Sequence, residues 1–238
     1  MKLDILVFAA HPDDAELACS GTILKYTSQG KKVGVVDLTQ GELGTRGSAE
    51  LRAEEATASA EILGLAIREN LGLRDGFFLN DEVNRLKVIE AIRKYQPEIV
   101  LANAYSDRHP DHGRASELIN DAVFLSGLTK IETQLDGRGQ KPWRPRLLLH
   151  YIQDRYIQPD ILIDITPYWE QKLASIRAFR SQFFDPKSIE PDTYISSPDF
   201  LNALEARCRE FGKSIQVTYA EGFTSKKLLG VKSLFDLL

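Results

Sequence analysis

The stretch LDILVFAAHPDDAE, Leu3 to Glu16, decides the fold. Leu3 to Ala9 is an apolar run broken only by Asp4, the pattern of a strand buried on both faces and therefore central in its sheet. After the turn at His11 to Asp14, the segment Glu16 to Gln29 carries Leu17, Ile23 and Leu24 at helical spacing, and Gly30 is a natural end for that helix. Lys32 to Leu38 (KKVGVVDL) then reads as a second strand. The three segments form one β-α-β unit, which requires a right-handed crossover and a parallel pair.

Working outward, the alternation continues. A polar loop at Thr39 to Gly47 leads into a helix over Ser48 to Leu63, closed by Gly64, and a short strand at Ala66 to Leu71. A helix over Glu82 to Tyr95 stops before Pro97, and Ile99 to Ala102 is a fourth buried strand, followed by the loop NAYSDRHPDHG. A further helix starts near His112. Gly127 to Pro145 is rich in turn formers and reads as a long surface excursion. Strands resume at Arg146 to Tyr151 and Ile161 to Ile165, with helices at Tyr168 to Phe179 and Asp199 to Phe211. No internal repeat or low-complexity tract interrupts the pattern. The expectation is an α/β, Rossmann-like fold: a mostly parallel sheet with helices on both faces, in one domain over residues 1–238.

Composition narrows the function classes. With 238 residues, 43% of them hydrophobic, the chain can bury one sizeable core. A net charge of −4 and a pI near 5.7 argue against nucleic acid or an anionic membrane as partner, since both select a clustered positive field. The opening apolar run is too short to span a bilayer and lacks a signal-peptide cleavage pattern, so a cytoplasmic location is expected. Cys19 and Cys208 have no CxxC spacing and read as buried apolar fillers.

The chemistry concentrates in two clusters. The chain has 4 histidines, and three of them lie in His11-Pro-Asp-Asp14 and His109-Pro-Asp-His112, each directly after a predicted strand. In open α/β sheets ligands bind outside the carboxyl ends of the strands, so the two clusters are expected to converge. A catalytic zinc takes three protein ligands and keeps a position open for water. His11, His112 and one of Asp13 and Asp14 supply such a set, and the other carboxylate can act as general base on the water; spacing does not decide which. Against this stands the plainer reading of each His-Pro-Asp as an Asx turn or helix cap, outweighed because the two clusters together use most of the histidines. A structural zinc is disfavoured, since such sites are usually closed by thiolates. His150, at the end of a later strand, reads as a core or outer-shell residue.

AHPDDAE at Ala10 to Glu16 and RHPDH at Arg108 to His112 resemble the two signature motifs of the LmbE-like (PIG-L) family of zinc-dependent N-acetylglucosamine deacetylases. The resemblance extends through DLTQGELGTRG at Asp37 to Gly47, ELR at Glu50 to Arg52 and YAEGF at Tyr219 to Phe223, and is greatest to the bacillithiol-biosynthesis deacetylases, which act on N-acetylglucosaminyl-malate. It implies Zn2+ held by His11, Asp14 and His112, with Fe2+ an alternative metal for such a set. It further implies Asp13 as general base and His109 as the group that stabilises the oxyanion. Asp111 is read either as the partner that orients His109 or as a cap for the following helix. Arg52 and Arg108 are placed near the substrate, where a guanidinium suits a malate carboxylate; Arg46 is assigned to solvent. Tyr194 sits in a polar, proline-containing loop that reads as an ordinary exposed segment, with a lid over the pocket as the alternative. The family also implies a homo-oligomer, commonly a hexamer. The competing functions are a bacillithiol-conjugate amidase, a catalytically silent sugar-binding module, and a nucleotide-dependent oxidoreductase. The last is disfavoured because the first strand-to-helix turn contains no glycine.

Overall fold

The computed structural model describes residues 1–183 and 188–237. The leading run forms β1 (Ile5–Ala9), every residue of it buried, and it is followed by α1 (Asp14–Ser28) and β2 (Val33–Thr39). Next come α2 (Ala49–Leu63), β3 (Ile67–Leu73), α3 (Glu82–Tyr95), β4 (Ile99–Ala102) and α4 (Pro110–Leu125). The turn-rich excursion contains a small hairpin of β5 (Gln134–Leu135) and β6 (Arg138–Gly139). The chain closes with β7 (Leu147–Tyr151), β8 (Ile161–Asp164), α5 (Trp169–Arg177), α6 (Phe200–Ser214) and β9 (Ala220–Thr224).

The large sheet has seven strands in the order β3-β2-β1-β4-β7-β9-β8. The first five run parallel, and β9 is antiparallel to both β7 and β8. The mostly parallel, Rossmann-like sheet is therefore present, with one strand the sequence reading did not anticipate. YAEGF becomes β9, fully buried, although Glu221 and Gly222 are residues that strands disfavour.

Alternation along β1 explains the two layers of helices. Leu6 and Phe8 join Ile89, Ile92, Leu118 and Ile119 of α3 and α4 on one face. Ile5, Val7 and Ala9 join Ala15, Ala18 and Ile23 of α1 and Leu63 of α2 on the other. Burying each such large aliphatic or aromatic side chain is worth roughly 1.5–3 kcal/mol, so the strand is fixed in register by both its faces. Cys19 and Cys208 are buried and unpaired, as fillers should be. Among the described residues no helix is long and apolar enough to cross a membrane.

The sheet order has a functional consequence. From β1 the chain moves to β2 on one side and later to β4 on the other, so the loops leaving the carboxyl ends of β1 and β4 part and open a crevice between them. Both His-Pro-Asp clusters leave the sheet at this switch point. The Ala10 N–H donates to Asn103 Oδ1 at 2.9 Å and ties the two loops together.

Candidate metal centre and active site

The crevice gathers the residues that the two clusters carry. The rings of His11 and His109 are 4.7 Å apart between centroids, those of His109 and His112 5.3 Å, and those of His11 and His112 5.7 Å. Asp14 lies between two of them: its Oδ2 is 3.6 Å from His11 Nδ1 and its Oδ1 is 3.2 Å from His112 Nε2. All of these groups line one cavity of about 290 Å³, together with Asp13, Arg46, Arg52 and Arg108.

The outer contacts show which ring nitrogens are available to a cation. His11 Nε2 is occupied by carboxylates, Asp75 Oδ1 at 3.0 Å and Asp111 Oδ2 at 3.3 Å, which leaves Nδ1 facing Asp14. His112 Nδ1 is held by Asp107 Oδ2 at 2.6 Å, which leaves Nε2 facing Asp14. Metal-binding histidines characteristically give their second nitrogen to a carboxylate, which fixes the tautomer and raises ligand basicity. Asp14 is fixed in the same manner, since its carboxylate accepts from the His11 N–H at 3.0 Å, from Asn103 Nδ2 at 2.9 Å and from Gln153 Nε2. Two imidazoles and a carboxylate, each braced from behind, suit a divalent ion such as Zn2+. Among the described residues, His11, His109 and His112 also bring ligand atoms within 4.8 Å of one another, as do His11, Asp75 and Asp111. In the latter group Asp75 and Asp111 share the same His11 nitrogen, the geometry of bracing rather than of a ligand shell.

Asp13 stands beside this cluster in an uncommon backbone conformation, with φ at 120°. A non-glycine residue persists there only when its surroundings over-determine it, which is typical of functional turns. Burial pushes its carboxyl up to about 7, and the neighbouring Asp14 adds to the rise, while Arg52 pulls it down. Arg52 reaches Asp13 Oδ2 from Nη2 at 3.0 Å and also donates to the carbonyls of Pro12 and Gly41. Expected to meet substrate, Arg52 is thus spent largely on Asp13, although it borders the cavity.

His109 caps α4, its Nδ1 accepting the Asp111 N–H at 3.2 Å. In the neutral ring the proton therefore sits on Nε2. Burial and the adjacent His11 and His112 lower its pKa to about 4. Asp111 plays neither part foreseen for it. Its carboxylate accepts from Gly76 N–H at 2.8 Å and Arg114 Nη1 at 2.6 Å and faces His11, so it braces that ring rather than His109.

At the mouth, Arg108 Nε lies 3.2 Å from Asp154 Oδ2, and its guanidinium is 4.4 Å from the centre of the Tyr194 ring. The Tyr194 hydroxyl donates to Asp154 Oδ1 at 3.0 Å, so the loop carrying it is pinned to the rim. Arg46, assigned to solvent from sequence, is only 4% exposed: it borders the cavity and donates from Nη2 to Ser188 Oγ at 2.7 Å. Its place in a loop after β2 gave no hint of burial, because the residues that cover it come from far along the chain.

The sequence reading missed Asp75, Asn103, Asp107 and Gln153. Each follows the carboxyl end of a strand (β3, β4, β4 and β7), but as a single polar residue in a loop it lacks the bunching of rare residues that located the two clusters.

The family model described as GlcNAc-PI de-N-acetylase (PIG-L) matches residues 6–123. Diacetylchitobiose deacetylase of Thermococcus kodakarensis is 32% identical over 189 residues, covering 75% of this chain and 70% of its own. A probable N-acetyl-alpha-D-glucosaminyl L-malate deacetylase 2 of Bacillus anthracis is 30% identical over 75% of this chain and 81% of its own. The crystal structure of a conserved protein from Thermus thermophilus superposes with a TM-score of 0.85 at 37% identity, covering 97% of this chain and 98% of that one. By fold, site and relatives the protein is a deacetylase, a hydrolase acting on amide bonds. The chain belongs to the PIG-L (LmbE-like) family.

Proposed function

We propose that the protein is a zinc-dependent deacetylase of an N-acetylglucosaminyl conjugate, with N-acetylglucosaminyl-malate, the bacillithiol precursor, as its substrate. The observation that carries the reaction is the buried Asp13 carboxyl, held through Oδ2 by Arg52 beside a His11, Asp14 and His112 cluster whose outer ring nitrogens are braced by carboxylates. A carboxylate within reach of the attacking water can act as its general base.

A cation held by His11, Asp14 and His112 supplies Lewis acidity and makes water a better nucleophile near neutral pH. Arg52 holds Oδ2 of Asp13, which leaves Oδ1 to take the proton from the attacking water. His109 is neutral at pH 7 and donates from Nε2 to the acetamide oxygen as that oxygen gains charge, an oxyanion contact that needs no protonated imidazole. Asp13, protonated by the first step, returns its proton to the departing amine. Burial of these groups keeps bulk water from levelling the interactions among them.

The malate assignment has two supports: the relative of Bacillus anthracis that bears this activity in its name, and the guanidinium groups of Arg108 and Arg46 at the same cavity. Arg108 can exchange Asp154 for a substrate carboxylate, and a guanidinium binds either group through paired hydrogen bonds.

Release of free amine from N-acetylglucosaminyl-malate, N,N'-diacetylchitobiose and plain N-acetylglucosamine tests this. The expected result is a kcat/KM for the malate conjugate at least about tenfold above either neutral sugar, the factor that ~1.4 kcal/mol provides. Preference for the chitobiose would overturn the malate assignment and leave the deacetylase; no amine from any of the three would overturn both.

A further inference from the structure

Helix α1 is broken. Cys19 has φ −139° and ψ 16°, outside the helical range, so the turn from Asp14 to Ala18 and the helix that follows are two segments meeting at an angle. A break strands backbone groups. In a continuous helix the N–H groups of Gly21 and Thr22 would bond to the carbonyls of Leu17 and Ala18, four residues back, and the Glu16 carbonyl would take the N–H of Ser20.

Here the stranded donors and acceptors are taken up by two buried side chains from distant elements. Gly21 and Thr22 donate their N–H groups to Oε1 and Oε2 of Glu221 at 2.9 and 2.7 Å. The carbonyls of Glu16 and Leu17 accept from Lys172 Nζ at 2.9 and 3.1 Å, and the Ser20 hydroxyl adds a bond to the Glu16 carbonyl at 2.7 Å. Lys172 and Glu221 then close on each other at 2.8 Å, with side-chain exposures of 0% and 1%. One ammonium from α5 thus serves the carbonyl end of the first segment, and one carboxylate from β9 serves the N–H end of the second.

A buried ion pair is a poor source of stability, because desolvation of both charges offsets most of their attraction. Such a pair is more economically explained by the geometry it enforces. The segment before the break starts at the metal cluster: Asp14 is its first residue and Asp13 immediately precedes it. Both segments pack against the same core, the first through the small Ala15 and Ala18 and the second through Ile23 and Leu24. The angle between them, together with the Asn103 and Gln153 bonds to Asp14, sets where the Asp13 and Asp14 carboxylates fall relative to His11 and His112.

We infer that Lys172 and Glu221 are positioning residues for the metal centre, a clamp that holds the Asp14 turn at its angle to the rest of α1. The inference rests on the reading that His11, Asp14 and His112 hold the metal, and it gives the YAEGF segment a role remote from substrate. Neither residue lines the cavity, and each acts only through the backbone of α1.

The test is zinc affinity of the metal-stripped protein, measured by competition with a chromophoric chelator alongside the melting temperature. Glu221→Gln leaves one N–H of the break without its acceptor. The double variant Lys172→Met with Glu221→Met leaves no unpaired charge, and it decides the matter if the single variant fails to fold. Val88→Ala, a fully buried residue of α3 across the sheet, is the control for general destabilisation. Zinc affinity is expected to fall about 10–100-fold in the clamp variants, the range seen when the bracing of a ligand is lost, and to change less than about twofold in Val88→Ala at a similar loss of Tm. Clamp variants that melt lower yet bind zinc as the wild type does would overturn the inference, as would an equal loss of affinity in Val88→Ala. A wild-type protein that binds no zinc would instead overturn the metal reading on which the clamp rests.

Discussion

Asp13 combines three features that rarely coincide without a purpose: a strained backbone, burial of a carboxyl, and a guanidinium bound to one of its two oxygens. Asparagine preserves the shape and the contact to Arg52 but cannot take a proton. Asp13→Asn is expected to keep its metal and to lose about 10²–10⁴-fold in kcat, the range a positioned general base supplies; metal content by elemental analysis and amine release check the two halves separately. Asp107 makes the complementary case, because it touches neither water nor substrate in the proposed reaction and instead fixes the tautomer of His112. For Asp107→Asn the expectation is zinc affinity reduced about 10–100-fold with a smaller change in kcat at saturating zinc. A kcat loss as large as that of Asp13→Asn, with affinity intact, would assign Asp107 to the chemistry.

At the scale of elements, helix starts carry the site as much as strand ends do. Ser48 caps α2 by accepting the Leu51 N–H, and Arg52 follows within that first turn. Ser48→Ala is expected to cost about 1 kcal/mol in unfolding free energy by denaturant titration. Asp81→Ala, at the equivalent position of α3 and not part of the cavity lining, should cost the same, and only the former should also raise KM or lower kcat, through Arg52. The elements themselves were largely legible, because β1, β2 and β4 are apolar runs buried on both faces and the caps of α2 and α3 stand in the sequence as Ser48 and Asp81. The strand β9 was not, since a buried charge and a glycine hide its pattern, and the break in α1 was not, since Leu17, Ile23 and Leu24 keep helical spacing across it. The two His-Pro-Asp clusters were legible because they bunch rare residues. Asp75, Asn103 and Gln153 were not, because a single polar residue after a strand looks like any loop, and only the sheet order reveals that three strands deliver them to one crevice.

The whole molecule responds to pH through groups that folding removes from water, and His150 is one outside the metal cluster. It is 1% exposed on β7, with Nδ1 2.9 Å from the Asn103 carbonyl and 3.0 Å from Ser116 Oγ. A carbonyl only accepts, so the proton of the neutral ring sits on Nδ1. Among the described residues Nε2 has no partner. Burial holds the pKa of His150 below its ordinary 6.5, and the nearby Lys226 adds to the depression. The unfolded chain therefore takes up a proton near 6.5 that the folded protein refuses until lower pH. Over that window the unfolded state binds more protons, so stability contributed by the neutral ring is complete above about 6.5 and declines as pH falls, by at most about 1.4 kcal/mol per pH unit. Asparagine at this position keeps a donor for the Asn103 carbonyl and has no proton to gain. Unfolding free energies of metal-stripped wild type and His150→Asn at about pH 7.5 and about pH 5 isolate the effect, since every other titrating group is common to both. The variant is expected to be less stable at the higher pH and to lose less on acidification, so that the two curves converge. Curves that stay parallel would mean that His150 titrates alike in both states and would overturn the prediction.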